Sequence, residues 1–327
     1  MSVEALDTAT QLAQARARAR LDILLNLTLL GILLLMCIAL SLSTRSFLTT
    51  NNITNLLRQG SMTAIIAMGQ TFVIITAGID LSVGAVVGFT SVIVAWLLTH
   101  DVPIAAAVPL TLLVGVLIGS FHAFGVTKMG LPPFIMTLAT MTALRGIGLL
   151  ITNGATISGL PDAFTDLSRA SLFGIPFLFW MVILVAVPSY VLLQHSRWGR
   201  YLFAIGSNPE AARLSGVKVR RMLYVAFILS ATFASFVGVL LAARIGIGNA
   251  TQGEGWELQS IASSVIGGTS LFGAVGSIQG PLLGAFLIAT INNGANLLNV
   301  NSFWQLVITG GLIIVIVYFD GLRRKKG

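Results

Sequence analysis

Residue types that carry out chemistry are few in this sequence, and they do not form a catalytic set. The chain contains no HExxH, GxSxG or GxxxxGK[ST] pattern, and its three histidines are far apart, at His100, His122 and His195. The single cysteine, Cys37, excludes an internal disulfide and lies in an apolar run, where a buried and inert thiol is expected. The sequence therefore predicts a protein that is not an enzyme, with no catalytic residue, no metal site, no cofactor and no nucleotide site of its own.

Charged side chains near the middle of a membrane helix would indicate ion-coupled transport, because they are costly there. The acidic residues fall instead at predicted span ends or in loops: Asp22, Asp80, Asp101, Glu254, Glu257 and Asp320. Arg145 is the exception, because it lies near the middle of a predicted span. It is interpreted either as a buried arginine bonded to carbonyl groups where helices pack, or as a pathway or gate residue.

A polar, basic segment at residues 195–221 encodes a short helix of its own, HSRWGRYLFAIGSNPEAARLSGVKVRR. Within it Asn208 is a good N-cap, Pro209 suits the first helical position, and Glu210 complements the helix N-terminus. Gly216 can end the helix in the left-handed conformation. These signals predict a rigid helix of roughly two turns, outside the membrane, shaped to fit a groove on a partner protein. Its residues are Asn208, Pro209, Glu210, Ala211, Ala212, Arg213, Leu214 and Gly216.

The amino-acid composition indicates which class of protein carries these residues. Of 327 residues, 56% are hydrophobic and 9% are charged, whereas a soluble domain carries about 25% charged residues. The mean hydropathy is +0.93. The sequence thus predicts an all-α polytopic membrane protein, since helices satisfy their backbone hydrogen bonds in lipid.

Ten stretches have the apolar length that a membrane helix needs, although the eighth is short and contains Gly267 and Gly268. We expect the eighth to be a broken or re-entrant helix, so the span count is nine or ten. The stretches are Ile23–Ser43, Ser61–Gly78, Val83–Thr99, Pro103–Val126, Leu131–Thr152, Pro176–Leu193, Met222–Ala243, Leu258–Phe272, Gln279–Asn296 and Phe303–Phe319.

Basic residues are distributed unevenly between the two sides of this layout. With an inner N-terminus and ten crossings, fourteen of the nineteen lysines and arginines fall inside and four outside. This excess predicts that both termini are cytoplasmic, and it explains the net charge of +8 without nucleic acid. The expected organisation is a cytoplasmic segment at residues 1–22, a transmembrane domain at 23–320 with a cytoplasmic loop at 194–221, and a basic cytoplasmic tail at 321–327.

Three sequence blocks, taken in order, resemble one family. Residues 77–92 read AGIDLSVGAVVGFTSV, residues 210–216 match EAA-x-x-x-G, and residues 264–294 read SVIGGTSLFGAVGSIQGPLLGAFLIATINNG. Together they resemble the ribose/monosaccharide permeases of ABC importers, within the branched-chain amino acid-like permease superfamily. The I-x-LP continuation of the EAA pattern is absent. The residues of the signature turn are Gly78, Asp80, Leu81, Ser82 and Gly84.

The resemblance implies a permease of about ten helices in the bacterial inner membrane, paired with a second copy or a close paralogue. It implies a periplasmic binding protein that delivers a monosaccharide, most simply a ribose-like pentose, and a cytoplasmic ABC ATPase that docks on the helix at residues 208–216. The alternative is a stand-alone secondary sugar transporter or facilitator. The sequence does not name the sugar.

Uncharged polar residues within spans are candidates for the transport pathway, although hydrogen bonding between helices explains them equally well. With Arg145, the pathway candidates are Gln70, Thr76, Gln259, Asn292, Asn293 and Asn296. Three arginines on the outer side are candidates for docking an acidic surface of the binding protein, or else ordinary solvated charges. They are Arg58, Arg169 and Arg244.

Overall fold

The computed structural model describes residues 26–325, and nearly all of the regular structure in that range is helical. The predicted N-terminal segment at residues 1–22 and the last two residues lie outside the described residues. The helices are α1 (Asn26–Ser43), α2 (Thr50–Ile75), α3 (Val83–Thr99), α4 (Ile104–Thr127), α5 (Pro133–Thr152), α6 (Asp162–Arg169), α7 (Phe177–Tyr190), α8 (Arg197–Ser207), α9 (Pro209–Leu214), α10 (Val219–Ile245), α11 (Trp256–Ile266), α12 (Gln279–Leu297) and α13 (Ser302–Lys325). A small antiparallel hairpin is formed by β1 (Ser171–Leu172) and β2 (Ile175–Pro176).

The protein is an all-α polytopic membrane protein, as predicted. Five helical segments in the described range are long and apolar enough to cross a membrane: α1, α4, α5, α10, and α7 with the π-helical turn that extends it to His195. Helices α2, α12 and α13 are also long, and each carries polar residues at one end. The count of ten crossings remains a prediction.

Helix α10 is the central element of the bundle and joins its two ends. It packs against α2, α3 and α4 along its length, α8 and α9 adjoin its N-terminal part, and α6 adjoins its C-terminal part. We call these ends the α9 face and the α6 face. Close packing depends on glycine, because a methyl group at Gly119 would overlap backbone atoms of Phe227 and Ile228.

The observed helices agree with most predicted spans, and the differences lie at the ends. Helix α3 has the predicted bounds, whereas α2 begins at Thr50, well before the predicted Ser61. Helix α13 continues to Lys325, so most of the predicted basic tail is helical. Hydropathy does not detect these extensions, since they carry polar residues beyond the apolar stretch.

The eighth predicted span is broken, as expected, because its helix ends at Ile266 and the remaining residues to Phe272 are not helical. Helix α11 has 11 residues, which is about 16 Å and therefore roughly half of a hydrocarbon core. It ends at Ile266, and a methyl group at Gly267 would overlap the backbone of Gly280 at the start of α12. The glycine pair thus ends the helix and allows two backbones to touch.

The segment that precedes α11, residues 246–255, re-enters the bundle from the α6 face. Gly248 contacts Ala95, near the C-terminal end of α3, and Gly253 contacts Gly84 at the opposite end of the same helix. Between these contacts the Asn249 N–H donates to the Ser91 hydroxyl at 3.2 Å. The segment therefore runs along α3 over roughly 16 Å of its length.

Candidate functional site

The predicted helix at residues 208–216 is present as α9, with the caps that the sequence indicates. The Asn208 side-chain oxygen accepts hydrogen bonds from the N–H groups of Glu210 and Ala211, each at 3.0 Å, and Pro209 occupies the first helical position. Gly216 follows the helix with φ of +86°, in the left-handed region where glycine carries no penalty. The caps fix a rigid helix of six residues.

The exposed surface of α9 combines an internally paired charge with an apolar tip. Arg213 donates to Glu210 through Nε at 3.0 Å and also through Nη2. This hydrogen bond lowers the pKa of the Glu210 carboxyl, and the same bond raises the pKa of Arg213. Leu214 is 76% exposed, while Ala212 is buried against the bundle. The helix therefore presents a leucine beside a neutralised ion pair.

Helix α8 connects α9 to the interior. Its last turn and the first turn of α9 meet at Asn208, whose N–H donates to the Ala204 carbonyl and whose side chain caps α9. A methyl group at Gly206 would overlap the Ile75 carbonyl oxygen and the Ala274 nitrogen. The Ala274 N–H itself donates to the Ile75 oxygen at 2.9 Å.

Three backbone segments thus meet without an intervening side chain: the end of α2, helix α8 and the loop between α11 and α12. We call this contact the three-backbone junction, defined by Ile75, Gly206 and Ala274. Gly273, with φ of +85°, lies against the Gly206 carbonyl oxygen beside this junction. A displacement of α9 that moves α8 would press on this junction, because the three backbones are in direct contact.

The signature turn between α2 and α3 is stabilised by Asp80. One of its carboxylate oxygens accepts from the Ser82 N–H at 2.9 Å and the Ser82 hydroxyl at 2.6 Å, and the other accepts from the Ser230 hydroxyl of α10 at 2.8 Å. Asp80, Ser82 and Ser230 are all buried. A fully buried carboxylate is tolerated because three donors satisfy it.

The remaining signature residues fasten this turn to α5 and to the re-entrant segment. The Leu81 N–H donates to the Thr137 hydroxyl of α5 at 3.1 Å. Gly78 contacts Val73, and Gly84 has room only for hydrogen, since a methyl group there would overlap the Gly253 oxygen and the Glu257 carboxylate. The signature residues therefore form a packing hub, at which the turn between α2 and α3 meets α5, α10 and the re-entrant segment.

Near this hub lies a buried histidine with unusual surroundings. His122 of α4 is fully buried, and neither ring nitrogen has a hydrogen-bond partner among the described residues. Its ring meets the Phe227 ring edge-on at 6.1 Å. Within residues 26–325, no three His, Cys, Asp or Glu side chains lie close enough together to hold a metal ion.

The pathway candidates do not converge on one site. Gln70 is fully buried in α2, and its amide has no partner among the described residues. Asn293 exchanges hydrogen bonds with Asn52 of α2, at 2.7 and 3.1 Å, and Asn296 accepts from Gln305 of α13 at 2.7 Å. These two asparagines fit the interpretation of hydrogen bonding between helices.

Three further pathway candidates have local surroundings only. The Thr76 hydroxyl donates to the Val73 carbonyl at 2.7 Å, at the end of α2. Gln259 and Asn292 are half-buried on α11 and α12. No contact gathers these residues with Gln70, so their role in a pathway remains a prediction.

Arg145 has charged partners, which corrects the expected placement of two acidic residues. Its guanidinium lies 3.5 Å from the Glu254 carboxylate and 3.8 Å from that of Glu257. We expected both glutamates at the end of a span, but the re-entrant segment carries them inward to the middle of α5. The described partners of Arg145 are thus two carboxylates and not carbonyl groups, and its role as a pathway or gate residue remains a prediction.

The three docking candidates come together on the α6 face. Arg58 donates through Nη2 to the Arg169 carbonyl at 3.1 Å, and Arg244 is close enough to Arg58 for their charges to repel each other. Arg169 is paired with Asp166 at 3.2 Å. The cluster is basic, with one of its arginines neutralised.

Several residues of these sites escaped the sequence analysis. Ser230, Thr137 and Gly206 carry no local signal, because each acts on a segment distant in sequence. Glu254 and Glu257 were noticed but misplaced in depth. The one available signal for the re-entrant segment is the length of the helix that follows it. Helix α11 has 11 residues, which is too short for a full membrane crossing.

Comparisons with known proteins agree with the architecture. Residues 52–317 match the family model described as branched-chain amino acid transport system / permease component. The chain is 42% identical to the ribose import permease protein RbsC of Bacillus subtilis, over 90% of this chain and 91% of that protein. It is 42% identical to the D-allose transport system permease protein AlsC of Escherichia coli (87% and 88% covered) and 37% identical to RbsC of Haemophilus influenzae (90% and 92%). No solved structure matches.

Proposed function

This chain belongs to the branched-chain amino acid transport system permease family, and from that premise we propose that it is the transmembrane subunit of an ATP-driven ABC importer for a monosaccharide. A ribose-like pentose is the first choice, and allose is the next, because relatives with similar identity carry those names. ATP is hydrolysed by a partner ATPase, since the sequence contains no P-loop.

The observation that carries this proposal is α9, a helix of six residues capped at both ends and exposed on its outer surface. A connecting loop does not require an asparagine cap, a proline at the first position and a left-handed glycine within nine residues of each other. A helix that must enter a groove on a separate protein does require such rigidity. The leucine at its tip, Leu214, supplies apolar contact area.

The proposed mechanism transmits a change in the ATPase to the bundle. ATP closes the ATPase dimer, the groove displaces α9, and α8 moves with it because the two helices share Asn208. The displacement reaches the three-backbone junction and favours one opening of the bundle over the other. Each ligand contributes only through its different affinity for the two conformations.

The placement in the cell follows from the distribution of basic residues. We place the protein in the bacterial inner membrane, with the α9 face and both termini in the cytoplasm. Residues 23–320 form the transmembrane domain, and a second copy or a close paralogue completes the transporter. On this orientation Arg58, Arg169 and Arg244 lie on the periplasmic side and meet acidic residues of the sugar-binding protein.

Charge reversal on α9 tests the proposal. In proteoliposomes with the partner ATPase and binding protein, we expect Glu210→Lys to reduce sugar-stimulated ATP hydrolysis and uptake by roughly tenfold, about 1.4 kcal/mol of coupling energy. The lysine breaks the pair with Arg213 and places two cations on the docking surface. The control, Asp101→Lys, makes the same charge change at an exposed turn on the α6 face and should leave both activities unchanged.

The same preparation separates this proposal from its alternative. Sugar uptake that needs no ATPase identifies a facilitator or secondary transporter, and the importer assignment is then wrong.

The double variant Glu210→Lys/Arg213→Glu restores the internal ion pair. If it also restores coupling, the integrity of α9 is what matters; normal coupling in the single variant contradicts the assigned role.

A further inference from the structure

The ion cluster of Arg145, Glu254 and Glu257 lies deep within the bundle. Arg145 is seven residues before Thr152, the α6-face end of α5, and twelve after Pro133, which places it about 10 Å from one end and about 18 Å from the other. Its contacts with the two glutamates, at 3.5 and 3.8 Å, set them at the same depth. All three charges therefore lie at the level of the hydrocarbon core.

A second contact shows that Glu257 lies far from the α6 face. The Glu257 carboxylate adjoins Gly84, the second residue of α3, which is about 22 Å from the α6-face end of that helix. The re-entrant segment carries Glu254 and Glu257 to this level. The charges are thus not at a membrane surface.

The cluster is open on the side of Glu254. The side chain of Glu254 is 70% exposed, that of Arg145 26% and that of Glu257 13%. Glu257 is the inner member, since one of its oxygens is buried and has no hydrogen-bond partner among the described residues. A carboxylate as exposed as that of Glu254 does not face lipid, because a charge at the bilayer centre costs at least about 3 kcal/mol. Water must therefore reach it.

We propose that Arg145, Glu254 and Glu257, with the exposed Thr251 on the same segment, line a water-filled pathway at mid-depth, and that this lining binds a neutral polyhydroxylated ligand. Carboxylate oxygens accept hydrogen bonds from sugar hydroxyls, and the guanidinium donates to sugar oxygens. The ligand's identity as a sugar rests on the proposed function; the aqueous lining does not, because it follows from depth and exposure alone.

Thiol labelling tests the lining directly. The chain has one cysteine, so Cys37→Ala gives a background without thiols. In this background, Glu254→Cys in proteoliposomes without ATPase should react with a membrane-impermeant cationic methanethiosulfonate at least roughly 100-fold faster than Ile147→Cys, because the reacting species is the thiolate. Ile147 is an exposed apolar residue two positions from Arg145 on α5, on the opposite side of the helix.

The outcomes are distinguishable. Thr251→Cys, exposed on the same segment, should label like Glu254→Cys and replaces it if that variant does not fold. Equal, slow labelling at all three positions overturns the proposal and indicates a face covered by lipid or by a second copy.

Fast labelling that D-ribose and D-allose slow at least threefold supports the ligand assignment. Fast labelling unaffected by either sugar overturns that assignment but keeps the aqueous lining, whether or not the complex imports sugar.

Discussion

Gly206→Val is expected to abolish the coupling of the ATPase to the bundle while leaving ATPase binding intact. A side chain at position 206 would displace the Ile75 carbonyl and the Ala274 nitrogen, and so force the three-backbone junction apart. Overpacking of this kind costs up to about 3 kcal/mol, so we expect sugar-stimulated hydrolysis and uptake to fall by roughly 100-fold. Because α9 is unchanged, the variant should still co-purify with the ATPase.

The matched control is Gly31→Val, since Gly31 lies on α1 with open space around it. This variant should import and hydrolyse at normal rates. Normal coupling in Gly206→Val would show that the junction tolerates a side chain and does not transmit motion. Loss of ATPase binding would mean instead that the substitution disturbs α9.

Asp80→Ala is expected to produce the largest loss of stability. The change leaves the Ser230 hydroxyl and two donors of Ser82 buried without their acceptor. Each orphaned donor costs about 1–3 kcal/mol, so we expect a loss on the order of 3 kcal/mol or more. Thermal unfolding of the purified protein in detergent measures this loss as a lowered midpoint.

Asp80→Asn is the informative comparison, because its remaining carbonyl oxygen can still accept from Ser82. It should lose much less than the alanine variant, and Ser230→Ala should lose about 1 kcal/mol. If alanine and asparagine at position 80 unfold at the same temperature as the unchanged protein, the hydrogen bonds of Asp80 do not hold the signature turn.

Local sequence signals were sufficient to predict that the protein is all-α and that α9 is a capped helix. Helix α3 has the predicted bounds, and α9 has the predicted cap at Asn208 and the predicted left-handed Gly216. These features depend on hydropathy over one helix length or on residues within one turn. The re-entrant course of residues 246–255 was missed, because a non-helical backbone protected by neighbouring helices has no hydropathy pattern of its own.

Contacts between distant segments explain the remaining errors. The pairing of Arg145 with Glu254 and Glu257 requires the depth of the re-entrant segment, which no local pattern encodes. Gly206 carries no local signal, although it touches the end of α2 and the loop before α12. Asn293 and Asn296 were correctly recognised as polar residues in a span, but their bonds to Asn52 and Gln305 fit helix association.

The most direct test of the account is photocrosslinking from α9 in the assembled transporter. A photoreactive residue at Leu214, the exposed tip of α9, should crosslink to the ATPase subunit, whereas one at Phe173 of the β hairpin, exposed on the α6 face, should not. Addition of ATP should change the yield of the crosslink from Leu214, because the groove on the ATPase moves when the nucleotide binds. Crosslinks from Leu214 only to lipid or to its own chain would contradict the claim that α9 receives the motion of an ATPase.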